Sequence, residues 1–477
     1  MKHLCQHRHR QSDARELKAT GAAQTANYRT ALMDLPKTAP TDRFGNPLDP
    51  IVGYARGVIL KGTQEEVERM LRARHIVGER VRTKGKESVY DLSGMNRGSG
   101  ITADDVPHLT SHVPFFERFE GQTEPYALKH MGADPARNRA LIINRVSAAN
   151  FVALSTLLAG GDRVFALAPA GGSTHPSAVR PISMVGAAFH QFHAIADLER
   201  AWQTQGPPRL LLITPISASK RHIALADVQR ALGLPRAANT LVYVDDAHMA
   251  SRIGYFREPR TFELGNVDLG VCSADKHVAG PRAGILVGRA DLVTEISSRV
   301  YELGFDAQAG QYVGVANALR NFDPDVIRKA GDLAEQLLRI LQARYGDKAY
   351  LGGPGVSLSG DDVLEIARAG ANKGKPKLVA VEAAGVVAME MLAQDGILTI
   401  GAVSMPSSAP VVRLMMYPDG HRLGVGPIAD SLHRAIARLG EVLDDVEAAR
   451  DRLLGSPPRL SKIPPAATKP HGVVRAH

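Results

Sequence analysis

The spacing of apolar residues changes along the chain and divides it into regions of different predicted structure. Between residues 139 and 290, short apolar runs alternate with segments of helical spacing at 147–158 and 225–232. The predicted strands are 140–146, 163–168, 210–214, 241–244 and the two runs within 267–288. Strands that alternate with helices predict an α/β domain with a mostly parallel sheet, whose ligand crevice lies at the carboxyl ends of the strands.

Outside this region the pattern differs. An amphipathic helix is predicted at 64–75 and a short extended segment at 90–96. Further along, the chain predicts a helix at 324–345, a strand followed by a helix at 378–392, strands at 397–403 and 411–416, and a final helix at 428–453. The predicted organisation is a polar tail (1–45), a large domain with an N-terminal arm (46–310), a smaller α+β domain (311–455) and a proline-rich tail (456–477).

The net charge of +9 lies mainly at the two ends of the 477-residue chain. Residues 1–45 hold eight Lys/Arg and four Asp/Glu, and residues 455–477 hold four Lys/Arg and no acid. Disordered, solvated tails explain this charge better than a recognition surface, although such arms also suit a tRNA partner. The two cysteines, the lack of an apolar leader and the lack of a membrane-length apolar run predict a soluble cytoplasmic protein without a membrane partner.

Lys276 occupies the end of an apolar run, before the turn at Ala279-Gly280-Pro281 and a second apolar run. A lysine between buried strands loses hydration, which lowers its pKa and suits an amine that forms a Schiff base. A solvated loop lysine is the commoner case, so this position alone does not define a site.

Polar groups follow three other predicted strands. Ser147, Ala148, Ala149 and Asn150 open a helix, whose amides and dipole suit a phosphate, although Ser147 is equally compatible with a plain N-cap. The other two strand ends carry His175 and the group Asp245, Asp246 and His248. His175 is equally compatible with a solvated loop, and the second group with a helix start or a metal site.

Together these groups match one cofactor. Pyridoxal phosphate needs an anion cradle, a ring against its own ring, a carboxylate beside its pyridine nitrogen and a lysine for its aldehyde. We therefore predict pyridoxal 5'-phosphate as the cofactor, and no metal.

Five segments resemble the fold type I pyridoxal-phosphate enzymes of the aspartate aminotransferase superfamily, and serine hydroxymethyltransferase most of all. They are AANFVALSTLLAGGDRV (148–164), GGSTHPS (171–177), VDDAHMA (244–250), SADKHVAGPRAG (273–284) and VVRLMMYP (411–418). The resemblance covers about residues 85–450. It implies a large domain with a seven-stranded, mostly parallel sheet, a smaller C-terminal α+β domain and a homodimer.

The resemblance also implies roles for individual residues. His175 stacks on the cofactor ring, Asp245 faces the pyridine nitrogen, and His248 lies near the cofactor oxygen. Lys276 forms the Schiff base, and Arg413 holds the substrate carboxylate. The predicted catalytic residues are Lys276, His175 and Asp245, and the predicted cofactor-binding set is Ser147, Ala148, Ala149, His175, Asp245, His248, Ser273 and Lys276.

Two departures bear on the reaction. Ser93-Gly94-Met95-Asn96 is the nearest match to the family's Ser-Glu-Asn segment and has no glutamate, and Asp275 replaces the histidine before the lysine. An Asp-Lys pair before a Gly-Pro turn is similar to bacterial selenocysteine synthase.

The predicted function is a transferase or lyase that acts on a small α-amino acid through an external aldimine, by hydroxymethyltransferase-like aldol cleavage or transaldolation. The alternatives are selenocysteine synthase-like β-elimination or replacement, transamination, and a catalytically silent homologue.

Overall fold

The computed structural model of the protein describes residues 40–50, 52–404 and 406–455. Most of the predicted tail 1–45 and all of the tail 456–477 lie outside these residues. The chain divides into two compact units, the first of which ends at Ala55. Within it, Thr41 pairs with Pro47 and Leu48 pairs with Ala55. The description below concerns the second unit, from Arg56 onwards.

The second unit contains both strands and helices. The strands are β1 (Tyr90–Asp91), β2 (Asn138–Ile143), β3 (Arg163–Leu167), β4 (Ala188–Phe192), β5 (Leu210–Ile213), β6 (Leu241–Asp245), β7 (Leu269–Ser273), β8 (Gly284–Arg289), β9 (Tyr350–Leu351), β10 (Gly355–Ser359), β11 (Ile397–Leu398) and β12 (Val411–Met415). The α-helices of four or more residues are α1 (Thr63–Lys84), α2 (His112–Phe119), α3 (Thr123–Met131), α4 (Val146–Leu157), α5 (Pro176–Met184), α6 (Ile195–Gln205), α7 (Leu225–Leu232), α8 (Ala290–Glu302), α9 (Ala309–Arg320), α10 (Pro324–Tyr345), α11 (Gly360–Gly370), α12 (Ala380–Glu390), α13 (Ile400–Val403), α14 (Gly420–Leu423), α15 (Val425–Val442) and α16 (Val446–Leu454). Shorter helical turns occur at Lys86–Ser88, Val106–Leu109, Met249–Ser251, Arg252–Phe256, Phe262–Leu264, Gly346–Lys348 and Met391–Asp395.

The larger sheet has seven strands in the order β2-β8-β7-β6-β5-β3-β4. Strand β8 is antiparallel to both of its neighbours, β2 and β7, and every other pairing is parallel. Six strands therefore share one direction, and the prediction of a mostly parallel sheet is confirmed. Their carboxyl ends meet at one edge, where a ligand crevice is expected.

Helices cover both faces of this sheet. Successive side chains of a strand point to opposite faces. On β3, Val164 and Ala166 join a core that includes residues of α4, α5 and α8, whereas Phe165 and Leu167 join a core with residues of α6 and α7. Strands that are buried on both faces must be apolar throughout, which explains why they appear in the sequence as continuous apolar runs.

A smaller antiparallel sheet, in the order β12-β10-β9, lies in the C-terminal part of the chain. Helix α11 contacts both β10 and β12, and α11, α12 and α15 contact one another. The pairing of β10 with β12 sets Arg413 opposite Ser357. An α+β arrangement was expected here, and the domain boundary near residue 310 stays a prediction.

Two of the predicted C-terminal elements are wrong. The strand expected at the start of 378–392 is absent from these residues, and α12 takes their place; all eleven of its residues are buried. A run that is apolar on every side has no period that separates strand from helix. The strand expected at 397–403 stops at Leu398, and α13 follows from Ile400.

Two other predicted elements have different bounds. The strand expected at 140–146 ends at Ile143, since Val146 already begins α4. The single helix expected at 428–453 is two helices, α15 and α16. They are separated at Asp445, whose side chain accepts a hydrogen bond from the amide of Ala448 and so caps α16. Among the described residues, no helix combines the length and apolarity needed to cross a bilayer.

Candidate active site

A cavity opens at the carboxyl ends of the parallel strands. Its lining includes most of the residues predicted from the sequence, namely Ser147, His175, Asp245, His248, Ser273, Lys276 and Arg413. The first six follow strands β2, β3, β6 and β7 or end them, and Arg413 comes from β12 of the smaller sheet. The topology therefore brings together side chains that are far apart in sequence.

The start of α4 provides the backbone donors of the cavity. The amide of Ala149 donates to the carbonyl of Arg145 at 3.0 Å and closes the first turn. The amides of Val146, Ser147 and Ala148 come before the first intrahelical hydrogen bond, so they are the amides that would donate to an anion bound at this helix end. Ser147 lines the cavity, whereas Ala148 and Ala149 pack their side chains into the core beneath it. Any contact that Ala148 makes with a ligand therefore comes from its backbone, and the Ala149 amide is already engaged.

Asp245 ends β6 with its two carboxyl oxygens in different environments. Oδ2 accepts a hydrogen bond of 2.9 Å from Asn150, whose side-chain oxygen accepts one from the Tyr243 hydroxyl. Oδ1 is buried and meets no hydrogen-bond donor within the described part of the chain. Burial raises the pKa of this carboxyl, while the nearby charge of Lys276 and the Asn150 hydrogen bond oppose the rise. A cationic N–H donor in the cavity would satisfy Oδ1 and keep the carboxylate ionised.

His175 caps the N-terminus of α5. Its Nδ1 accepts a hydrogen bond of 3.1 Å from the Ser177 amide and lies 2.8 Å from the Ser177 hydroxyl. Burial, together with the charges of Lys276 and Arg180, lowers the pKa of His175 to about 4. The imidazole is therefore neutral at neutral pH, and a neutral ring suits stacking against an aromatic ligand.

Lys276 lies beyond the end of β7, between acidic and basic neighbours. Burial lowers the pKa of its amine, Asp275 and Asp245 raise it, and Arg413 and Arg97 lower it again. An amine whose charge is disfavoured by burial has a larger fraction of the unprotonated form, which is the form that attacks a carbonyl.

Asp275 organises the loop that carries Lys276. Its Oδ1 accepts a hydrogen bond of 2.6 Å from Ser273, and its Oδ2 lies 3.6 Å from Arg97 Nε and 4.0 Å from Arg282 Nε. Burial, with Arg97 next in effect, lowers the pKa of Arg282 to about 10. Ser273, predicted to bind cofactor, thus donates its hydroxyl hydrogen bond to Asp275, and Asp275 also lies within ion-pair distance of two cavity-lining arginines.

The segment 93–97 runs beside the lysine loop. The amide of Asn96 donates to the carbonyl of Asp275 at 3.1 Å, the amide of His277 donates to the carbonyl of Gly94 at 3.3 Å, and Met95 pairs with Lys276. The structure thus places Ser93-Gly94-Met95-Asn96 against Lys276, and this segment has no carboxylate.

Asp91, just before this segment, makes the stability of the fold depend on pH. Its Oδ1 accepts a hydrogen bond of 2.8 Å from the Ser93 amide, and burial raises its pKa from 3.8 to about 6. The folded state therefore loses stability as the pH rises from about 4 to above 6, because the unfolded chain ionises this group first. We expect Asp91→Asn to raise the free energy of unfolding by about 3 kcal/mol at pH 8, and by much less at pH 4. Urea unfolding at both pH values measures the difference, and an equal gain at both would contradict a titration origin.

Arg413 lies deep in the cavity. One of its Nη atoms donates to the carbonyl of Ala218, while Nε is buried without a hydrogen-bond partner among the described residues. Burial lowers the pKa of this guanidinium to about 10, so it remains charged at neutral pH. A buried guanidinium with an unsatisfied N–H is suited to a carboxylate ligand.

Asp246, beside Asp245, has a structural role. Arg252 donates to it at 2.6 to 3.1 Å, and Thr261 donates to it at 2.9 Å. Arg252 is itself 1% exposed and also pairs with Glu258 at 3.1 Å. The two adjacent acids therefore do not form a metal site, because one of them is saturated by an internal ion pair.

Three residues of the cavity lining, Lys220, Arg97 and Arg282, were not predicted from the sequence, and neither was the contact of Asn150 with Asp245. Lys220 follows β5, so the strand-end argument applied to the other loops also covers it. Asn150 was considered only as part of an anion cradle. No sequence signal pairs Arg97 with Asp275, since the contact joins segments that are distant in the chain.

No family model matches the chain. It is 27% identical over 403 residues to a UPF0425 pyridoxal phosphate-dependent protein of Methanothermobacter thermautotrophicus, a match that covers 83% of this chain and all of the relative. A second protein of that description, from Methanosphaera stadtmanae, is 26% identical over 74% of this chain and 88% of its own length.

Solved structures share the fold at low sequence identity. Ureidoglycine-glyoxylate aminotransferase of Bacillus subtilis aligns with a TM-score of 0.50 and 12% identity over 76% of this chain and 96% of its own. Serine palmitoyltransferase of Sphingomonas wittichii aligns with a TM-score of 0.51 and 15% identity over 74% of this chain and 88% of its own. The seven-stranded sheet with its carboxyl-edge cavity therefore has the architecture of the fold type I pyridoxal-phosphate enzymes, as the sequence motifs predicted.

Proposed function

We propose that this protein is a pyridoxal-phosphate-dependent enzyme that acts on a small α-amino acid. The observation that carries the proposal is the buried, unsatisfied Oδ1 of Asp245 in the cavity that also holds Lys276. Few ligands need a buried carboxylate and an unprotonated amine together. The cofactor does, since its pyridine nitrogen must stay protonated and its aldehyde must meet an amine.

The other residues of the cavity fit the same ligand. The first-turn amides of α4 and the Ser147 side chain would hold the phosphate, and the neutral ring of His175 would cover one face of the pyridine ring. When bound, the cofactor supplies an acceptor for the electron pair of the bond broken at the substrate α-carbon. The names of the relatives in Methanothermobacter and Methanosphaera support this choice of cofactor.

Arg413 supports an amino acid as the substrate. Its guanidinium is buried, and its Nε has no partner among the described residues, so an incoming carboxylate would satisfy it. The α-carboxylate is the group that all amino acids share. We therefore assign Arg413 to substrate binding.

We further propose aldol cleavage or transaldolation of a β-hydroxy amino acid as the reaction, on the similarity of five segments to serine hydroxymethyltransferase. The segment 93–96 supports a reaction without folate, because no carboxylate stands there for the proton transfers of folate chemistry. β-Elimination on serine is the alternative to which the Asp275-Lys276 pair is similar. The two reactions are distinguished by their products, glycine and an aldehyde in the first case, pyruvate and ammonia in the second.

The test begins with the absorbance of the purified protein after addition of pyridoxal phosphate. We expect a visible band of lysine-bound cofactor, and a further change on addition of glycine, serine or threonine. Ethanolamine, which has the amine and hydroxyl of serine without its carboxylate, should produce little change. Absence of the band with the cofactor in excess would refute the proposal.

Arg413→Lys tests recognition of the carboxylate. Lysine keeps the charge but loses the planar pair of N–H donors, so we expect KM for the amino acid to rise about 10- to 100-fold, with a smaller change in kcat. Steady-state kinetics measure both constants. Arg339→Lys, on the exposed side of α10, is the matched control and should leave both unchanged. An unchanged KM in Arg413→Lys would remove Arg413 from the substrate site.

A further inference from the structure

A second lysine, Lys220, lines the same cavity as Lys276 and Arg413. It is only 4% exposed and has a left-handed backbone, with φ of +64°. Its amide donates to the carbonyl of Ser217 at 2.9 Å, and a Cβ added to Gly352 would lie 2.4 Å from the Cβ of Lys220. The tight turn and this close packing fix the position of the residue from both sides.

The amine of Lys220 lies 2.7 Å from Nδ1 of His248. Every charged or titratable group that acts on it is basic: Arg413, Lys276, His248 and His277. Within the described part of the chain, no carboxylate comes within ion-pair distance of it. A buried ammonium with only basic neighbours is unfavourable, since it has neither water nor a counter-ion.

The protonation of the pair follows from this environment. Burial first, and then the charges of Arg413 and Lys276, lower the pKa of Lys220 well below its usual range. Burial and Lys220 likewise lower the pKa of His248. Burial and basic neighbours thus favour the unprotonated amine of Lys220, which lies 2.7 Å from the imidazole of His248, and an unprotonated amine is a base that can accept a proton.

Lys276 and Arg413 indicate where a substrate lies relative to this base. Under the proposed function, on which this inference rests, Arg413 holds the carboxylate and Lys276 marks the position of the reacting amino group. Lys220 lines the same cavity as both residues, so a substrate held by Arg413 and Lys276 would lie in the cavity that the Lys220 amine faces. We propose that Lys220 removes the proton from the β-hydroxyl group of the substrate, with His248 as its hydrogen-bond partner, and that the substrate is a β-hydroxy α-amino acid.

The step balances without a further reagent. The lone pair of Lys220 Nζ takes the hydroxyl proton, the Cα–Cβ bond breaks, and the β-carbon leaves as an aldehyde. The electron pair of the broken bond stays on the α-carbon, which is later protonated to give glycine. The ammonium of Lys220 gives up its proton through His248 or to water before the next turnover.

Lys220→Met separates this role from the rest of the site, since methionine keeps an unbranched side chain without the amine. We expect cleavage of threonine or another β-hydroxy amino acid to fall at least about 100-fold. Exchange of the glycine α-proton with deuterated water, which needs the cofactor, Lys276 and Arg413 but no β-hydroxyl, should stay within about threefold of the wild type. Lys129→Met, on the exposed side of α3, is the matched control and should alter neither rate.

Two further measurements identify a proton-transfer role. Glycine tolerates the left-handed backbone of residue 220, and Lys220→Gly leaves room for a small amine. Methylamine should restore cleavage to Lys220→Gly and should leave Lys220→Met unaffected. In the full-length protein without added cofactor, cyanate, which modifies unprotonated amines, should modify Lys220 at least about tenfold faster than Lys129 at pH 7, as measured by peptide mass spectrometry.

The outcomes separate this inference from the proposed function. Failure of the wild type to bind cofactor would refute the proposed function and, with it, the inference. Glycine exchange by a wild type that cleaves no β-hydroxy amino acid would overturn the inference alone. Equal losses of exchange and cleavage in Lys220→Met, full cleavage in that variant, or slower modification of Lys220 than of Lys129 would overturn it as well.

Discussion

Replacing Lys276 by alanine should abolish the visible band of lysine-bound cofactor and lower the rate of amino-acid turnover by at least about 1,000-fold. Lys276 and Asp245 line the same cavity and interact electrostatically, so a cofactor bound there would be held by both. An alanine leaves no amine at that position for the aldehyde to meet. Absorbance with excess cofactor and single-turnover kinetics measure the two effects.

The loss should be chemical and not structural. Burial, Arg413 and Arg97 disfavour the charge of Lys276 more than Asp275 and Asp245 favour it, since the pKa of its amine is lowered, so its removal should leave the free energy of unfolding unchanged or slightly higher. Lys276→Arg keeps a positive charge but cannot bond to the aldehyde, and it should fail in the same way as alanine. Urea unfolding of both variants supplies the control.

Lys220 is an alternative attachment site for the cofactor, since it is a second amine in the same cavity and burial lowers its pKa. Borohydride reduction of the cofactor-loaded protein, followed by peptide mapping, should find the cofactor on Lys276. Cofactor on Lys220, or a visible band that persists in Lys276→Ala and disappears in Lys220→Met, would exchange the assignments of the two lysines.

The site could be predicted to the extent that it depends on one rule of topology. Parallel strands end at a common edge, so His175, Asp245 and Lys276 could be grouped from the sequence before any distance was known. The rule predicts which loops form the site, but it does not predict which side chains contact one another. The hydrogen bond from Asn150 to Asp245 joins a helix to a strand, and the ion pair of Arg97 with Asp275 joins the N-terminal segment to the lysine loop. Such pairs depend on tertiary packing, which a local pattern does not encode.

The fold shows the same limit. The parallel strands were predicted because each apolar run is short and lies between polar loops. The segment 378–392 is apolar throughout and buried throughout, and its helical state is fixed by contacts of α12 with α11, α15 and α16. Periodicity requires a contrast between two faces, and a fully buried helix has none.

The adjacent acids Asp245 and Asp246 should respond in opposite ways to the same change. Asp245→Asn keeps an oxygen that can accept the hydrogen bond from Asn150, but it cannot balance a protonated ring. We expect turnover to fall at least about 100-fold while the free energy of unfolding is unchanged or higher, because burial already raises the pKa of this carboxyl and makes its charge unfavourable.

Asp246→Asn should instead destabilise the protein by about 3–5 kcal/mol, because it leaves the buried guanidinium of Arg252 with Glu258 as its remaining carboxylate. Urea unfolding and kinetics of both variants, at a temperature where both are folded, measure the two effects separately. Similar losses of stability in the two variants would contradict the division of roles, as would a loss of turnover confined to Asp246→Asn. The division has a structural cause, since successive residues at the end of β6 point in opposite directions. Asp245 therefore faces the cavity, whereas Asp246 faces Arg252 and forms the buried ion pair that stabilises the turn after the strand.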